Sequence, residues 1–206
     1  YLSLKEETAA IVIFWTVGRR SGEKGFMLFI PHFDLKSYPL ADYQEVGVMN
    51  AAHTVANAPE KITPVLVDKL FEYVRQFTGS MRKGYMIYGH SAGGQFVQRF
   101  MLFHDSPYVE KAIISSPGWY TFPDLAQTYP YGTAGIPYIS SEQIKKYLSK
   151  PIILQLALGD TIRELFYARL LKLNDKDETV WSVGVVSGFI FTSWLHPVVG
   201  NAIGAR

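Results

Sequence analysis

The hydrophobic positions of this chain fall into two kinds of run. Some are short, continuous and rich in β-branched or aromatic residues: "AAIVIFW" (9–15), "GFMLFIP" (25–31), "GYMIYG" (84–89), "KAIISSPG" (111–118), "PIILQLALGD" (151–160) and "TVWSVGVV" (179–186). Such runs predict strands buried on both faces. Others repeat with helical spacing. In "TPVLVDKLFEYVRQF" (63–77), Val67, Leu70, Phe71 and Val74 stand at i, i+3, i+4 and i+7, with Thr63 as N-cap and Pro64 at the first helical position. Helices are also predicted from Ala92 to Phe103 and over "IRELFYARLLKL" (162–173). Two stretches lack a period, "PHFDLKSYPLADYQEVG" (31–47) and the aromatic, Pro- and Gly-rich "WYTFPDLAQTYPYGTAGIPYISS" (119–141). Both read as long loops, and a loop as long as the second is usually functional. Strands alternating with helices predict an α/β protein, a mostly parallel central sheet with helices on both faces, in one domain over 1–206.

Composition narrows the function. With 206 residues, 48% apolar and 18% charged, the chain can bury a large core without staples. A net charge of +2, with no basic run longer than a pair, gives no reason to expect a nucleic-acid partner. The absence of cysteine excludes disulfides, thiol nucleophiles and thiolate metal sites. The histidines are scattered and no metal-ligand spacing appears, so no metal is expected. The apolar run from Ala9 to Val17 follows an acidic "KEE" and does not look like a secretory leader. From Thr179 to Ala205 no residue is charged, and Gly184 and Gly188 form a G-x-x-x-G, which raises a membrane-anchor reading. Ser182, Ser187, Thr192, Ser193, His196 and Pro197 interrupt that stretch, so a buried strand plus a loop is expected instead. The sequence does not fix the compartment; a soluble protein is expected, with the cytoplasm favoured. Nothing in the sequence sets the oligomeric state.

The chemistry centres on "YMIYGHSAGGQF" (85–96). A G-x-S-x-G between a buried strand and a helix makes a sharp turn that exposes the serine hydroxyl at the C-terminal edge of a sheet. Ser91 is then a candidate nucleophile, and the N–H of Ala92 points at the oxyanion that would form on attack. A tight turn with no chemistry is the plainer alternative. Serine at its ordinary pKa needs a base, and the base an orienting carboxylate. Asp160 ends a predicted strand and would lie at the same edge, although capping the next helix would also explain it. His32, His53, His90 and His104 precede Asp160, and His90 is locked into the turn. Only His196 follows Asp160, in the chain order Ser, Asp, His. His90, Trp119 and Tyr120, with Phe122 and Tyr131, are expected to line an apolar substrate pocket. Simple packing accounts for any one of the aromatic residues equally well.

Together, "YGHSAGGQFVQRF", "PHFD…YP" and "SPGWYTFPDLAQTYPYG" resemble the α/β-hydrolase superfamily, and within it the bacterial serine-esterase and poly(3-hydroxyalkanoate)-depolymerase-like members. The resemblance runs from about Gly25 to Asp160. It implies ester hydrolysis by a Ser-His-Asp triad without a cofactor, with Ser91 and Asp160 at matching positions. Two places depart from it. Trp15 and Thr16 stand where relatives carry His-Gly, although the N–H of Val17 is left as a second oxyanion donor. In "VVSGFIF" (185–191), Phe191 stands where relatives of the form V-x-G-x-x-H carry the base, five residues before His196. The connections near Arg20 and after Asp160 are also short, as omitted loops or a diverged, weakened relative would both produce. The reading is a serine ester hydrolase. Its rival is an impaired hydrolase fold used as a binding or assembly subunit.

Overall fold

The computed structural model describes residues 11–17, 25–34, 36–157, 180–186 and 189–195. Its strands are β1 (Ile11–Val17), β2 (Gly25–Phe29), β3 (Tyr85–His90), β4 (Val109–Ser115), β5 (Ile152–Ala157), β6 (Val180–Val186) and β7 (Phe189–Leu195). Its helices are α1 (Leu40–Tyr43), α2 (Pro64–Thr78), α3 (Ala92–Phe103) and α4 (Ser141–Leu148). The strands form one sheet in the order β2-β1-β3-β4-β5-β7-β6. Only β3, β4 and β5 pair in parallel. Because β1 is antiparallel to both of its neighbours, and β7 to both of its own, β2, β3, β4, β5 and β6 all point the same way.

The two reversed strands have a covalent cause. Residues 18–24 join β1 to β2, and a parallel return needs a connection of a dozen or more residues. The short link near Arg20 therefore makes a hairpin-like pair. The 179–205 stretch contributes two strands, β6 and β7, where the sequence predicted one. Among the described residues no helix is long and apolar enough to cross a membrane. The predicted helix over 162–173 lies outside the described residues.

The core is organised around α3. Every residue from Gly93 to Phe103 is buried, so this helix is enclosed on all sides. Phe33, Tyr43, Phe96 and Phe100 form a chain of ring contacts with centroids 5.3–6.2 Å apart. They pack the 31–47 segment onto the helix. On β3, Tyr85, Ile87 and Gly89 turn inward, and Phe71 of α2 meets the Tyr85 ring at 4.9 Å. The sequence missed α1 and α4. The second is signalled by Ser140, which caps it by accepting from Gln143 N–H, and by the apolar positions Ile144, Tyr147 and Leu148. Thr63 stands at the N-cap position of α2 without capping it. Its hydroxyl donates to the Asp42 carbonyl at 2.6 Å and ties α2 to α1 instead.

Buried polar groups are unevenly satisfied. Asp68 of α2 accepts from the Tyr85 and Ser106 hydroxyls, each at 2.7 Å, and meets His104 Nε2 at 2.8 Å. The Tyr43 hydroxyl is buried with no hydrogen-bond partner among the described residues. Tyr85→Phe deletes a bond to a buried carboxylate and should cost about 1–3 kcal/mol. Tyr43→Phe removes an unbonded oxygen and should gain on the order of 1 kcal/mol. Urea midpoints measure both. Burial also raises the Tyr43 phenol well above its ordinary 10.0. The unfolded chain therefore gives up this proton first as pH rises past 10, and stability falls there. Tyr43→Phe should flatten that fall.

Candidate active site

The turn after β3 is set by how closely strand and helix approach. A Cβ on Gly89 would lie 2.0 Å from the Gly93 carbonyl oxygen, and one on Gly94 would lie 2.7 Å from the Ser115 carbonyl oxygen. Only glycine fits between β3, β4 and the first turn of α3. Ser91, between them, takes φ 53° and ψ −118°. A side-chain-bearing residue held there stores about 1–3 kcal/mol of strain. Main-chain bonds hold it on both sides. Ser91 N–H donates to Ser115 O at 3.0 Å, and Gln95 N–H donates to Ser91 O at 3.0 Å. The side chain is exposed and makes no capping bond. Gln95 makes the first bond within α3, so the N–H groups of Ala92, Gly93 and Gly94 have no acceptor in their own helix. This helix end favours negative charge.

Around this turn the parallel strands present a polar edge. The His90 imidazole is exposed, and its Nδ1 lies 3.2 Å from Ser115 Oγ. Ser116 takes φ 38°, and its N–H donates to Gln155 O at 2.8 Å. Beyond β4, the 117–140 segment is clamped to α3. Gln98 pairs with both main-chain groups of Thr121, accepting from its N–H at 3.1 Å and donating to its carbonyl at 2.9 Å. Arg99 Nε donates to Thr121 Oγ1 at 2.9 Å, and Nη1 donates to the Gln44 and Gln95 carbonyls. The guanidinium lies 3.8 Å from the centroid of the Trp119 ring, and Trp119 meets Tyr131 at 5.6 Å. Burial lowers the Arg99 pKa to about 10, which leaves it charged at neutral pH. Sequence reasoning missed this clamp. Its signal is three polar residues, Gln95, Gln98 and Arg99, set at helical spacing in an otherwise apolar helix.

The structure sorts the sequence candidates. Ser91, Ala92 and His90 are together at the turn. Trp119 covers Arg99, and the half-buried Tyr120 packs on the core. Asp160 and His196 lie outside the described residues. The strand before Asp160 ends at Ala157 on the same edge as Ser91, since Ser115 pairs with His90 on one side and Gln155 on the other. Val17 is a correction. Ile11 pairs with Gly89 and β1 runs away from it, so Val17 lies at the opposite edge, about 25 Å from the Ser91 level at ~3.3 Å per residue. The reversed strand removes it as an oxyanion donor. The same geometry bears on the far strand. Phe191 pairs with Gln155 near the Ser91 edge, whereas β7 ends at Leu195 beyond the Ile153–Ser193 rung, on the other side of the sheet.

Comparison with known proteins agrees with this architecture. The chain is similar to the structure of poly(aspartic acid) hydrolase-1 from Sphingomonas sp. KT-1, with 32% identity and a TM-score of 0.60 over 75% of this chain. It is also similar to a poly(3-hydroxybutyrate) depolymerase from Bordetella parapertussis, with 26% identity and a TM-score of 0.55 over 61%. The chain has the α/β-hydrolase fold. It spans 56% of the length of the first α/β-hydrolase and 43% of the second. No family model and no curated protein matches it.

Three substitutions test the α/β-hydrolase turn. Gly89→Ala drives a methyl into backbone and should cost more than about 3 kcal/mol or prevent folding. Ser91→Gly relieves the positive φ and should be more stable than Ser91→Ala by about 1 kcal/mol. Chemical denaturation of the three variants checks this order.

Proposed function

We propose that the chain is a serine hydrolase that cleaves carboxylic esters, with Ser91 as nucleophile. The observation that carries this reading is the strained backbone of Ser91, which holds an exposed hydroxyl at the head of a buried helix. In this mechanism Ser91 Oγ attacks the ester carbonyl and passes its proton to a histidine. The tetrahedral oxyanion is held by the Ala92 N–H, a contribution on the order of 3 kcal/mol. Collapse expels the alcohol, which takes the proton, and water then releases the acyl group by the same steps. Asp160, three residues beyond β5, is the carboxylate that orients the base. By chain order the base is His196. The two similar enzymes act, by their names, on polymers of acyl-linked units, which supports acyl transfer at this turn.

One observation favours a second reading. The chain leaves β7 at the edge opposite Ser91, one residue before His196. A hydrolase fold with an incomplete triad, used for binding, fits that direction. The two readings separate in one experiment. A fluorophosphonate probe and p-nitrophenyl acetate are applied to the wild type, Ser91→Ala and His196→Ala. The hydrolase reading expects labelling and turnover in the wild type, none in Ser91→Ala, and a loss of at least about a thousandfold in His196→Ala. A folded but inert wild type sinks it. Turnover that survives in His196→Ala while failing in Ser91→Ala removes His196 as base and keeps Ser91.

A further inference from the structure

The far end of α3 carries a second cluster of reactive groups. A pocket of about 230 Å³ opens there, lined in part by Met101, His104, Asp105, Lys146, Ser149 and Lys150. Lys150 reaches into it from the chain after α4. Its Nζ donates to the Met101 carbonyl and to the His104 carbonyl, both at 2.9 Å. These are carbonyls at the end of α3, where helix geometry leaves acceptors unpaired. The Lys150 side chain is 16% exposed, and its only carboxylate neighbour among the described residues is Asp105, at 3.8 Å. Asp105 is itself engaged by Lys146 Nζ.

The bonding fixes what the nitrogen can do. A tetrahedral amine has four positions. Cε takes one, and the two carbonyls take one N–H each. The fourth position carries the third proton of the ammonium or the lone pair of the free amine. Loss of that proton breaks neither carbonyl contact. Burial favours the loss and brings Lys150 down to about 8 from 10.5; Lys146 adds to the fall, and Asp105 opposes it. Desolvated lysines of this kind are nucleophiles.

We propose that Lys150 is an acylation site, whose nitrogen attacks the carbonyl carbon of a small activated acyl donor, an acyl phosphate or a thioester, in this pocket. An N–C bond forms, and the C–O bond to phosphorus or the C–S bond breaks. The phosphate or thiolate leaves with the electron pair, and the proton on nitrogen passes to water. The amide product keeps one N–H where the amine had two, so one of the two α3 carbonyls loses its partner. Nothing in this step involves Ser91.

The test is site-resolved mass spectrometry of the intact wild-type chain with acetyl phosphate in one arm and S-acetyl-N-acetylcysteamine in the other. At pH 7.5 about a quarter of an amine with pKa near 8 is free, against about 0.1% of an ordinary lysine. After allowance for restricted access, Lys150 should react at least about tenfold faster than exposed Lys145 with one donor or both, with a rate midpoint near pH 8. The arm that reacts faster identifies the donor class. Lys150 reacting no faster than Lys145 in both arms overturns the proposal. Asp105→Asn, a change at an exposed rim residue, should speed Lys150 acetylation at pH 7 severalfold. An unchanged or slower rate in the folded variant counts against the proposal, and the wild-type pH profile decides the matter if the variant does not fold.

Discussion

The approach of Gly89 to the carbonyl of Gly93 is the constraint on which the rest of this molecule depends. It lets a strand end and a helix begin with one residue between them, and it dictates the backbone of that residue. It also sets α3 against the sheet closely enough for the helix to be enclosed by rings from the 31–47 segment on one side and by the 117–140 segment on the other. A bulkier residue at either contact would separate the layers, and the aromatic chain through Phe96 would lose its seat. Burial of α3 and exposure of Ser91 are thus two results of one contact.

The central half of the fold is legible in the sequence. The continuous apolar runs give β1 to β6, and α3 falls on the predicted residues Ala92 to Phe103. Periodicity reads what is buried along one element. It does not read direction, so the reversal of β1 and β7 escaped it. The short link over 18–24 held that information as a length, because seven residues cannot carry a chain back to a parallel neighbour. Val17 was misplaced for this reason: a donor argued from motif position was moved to the other edge by strand direction. β7 escaped because the Ser187-Gly188 step was read as an interruption leading into a loop and not as a break between two strands.

At the site, motif and structure agree where the chemistry is local and part where it is distant. Ser91, Ala92 and His90 are neighbours by covalent necessity, and any correct elbow brings them together. The aromatic residues of the 119–141 stretch belong to a different class. Trp119 was expected to face a substrate, and its ring lies against a buried guanidinium. The sequence displays the aromatics openly, but the charged partner that claims one of them is hidden inside an apolar helix.

The manner in which α3 grips that segment bears on how such a protein can diverge. Gln98 holds Thr121 by its main-chain N–H and carbonyl, as an adjacent strand would. The grip reads the backbone and is blind to the side chain it holds; only the Thr121 hydroxyl, used by Arg99, is read by type. Exchange at Trp119 or Tyr120 would cost the ring packing described above but would leave these main-chain bonds in place. The attachment of this segment to α3 is therefore kept by its backbone while the side chains it carries can change.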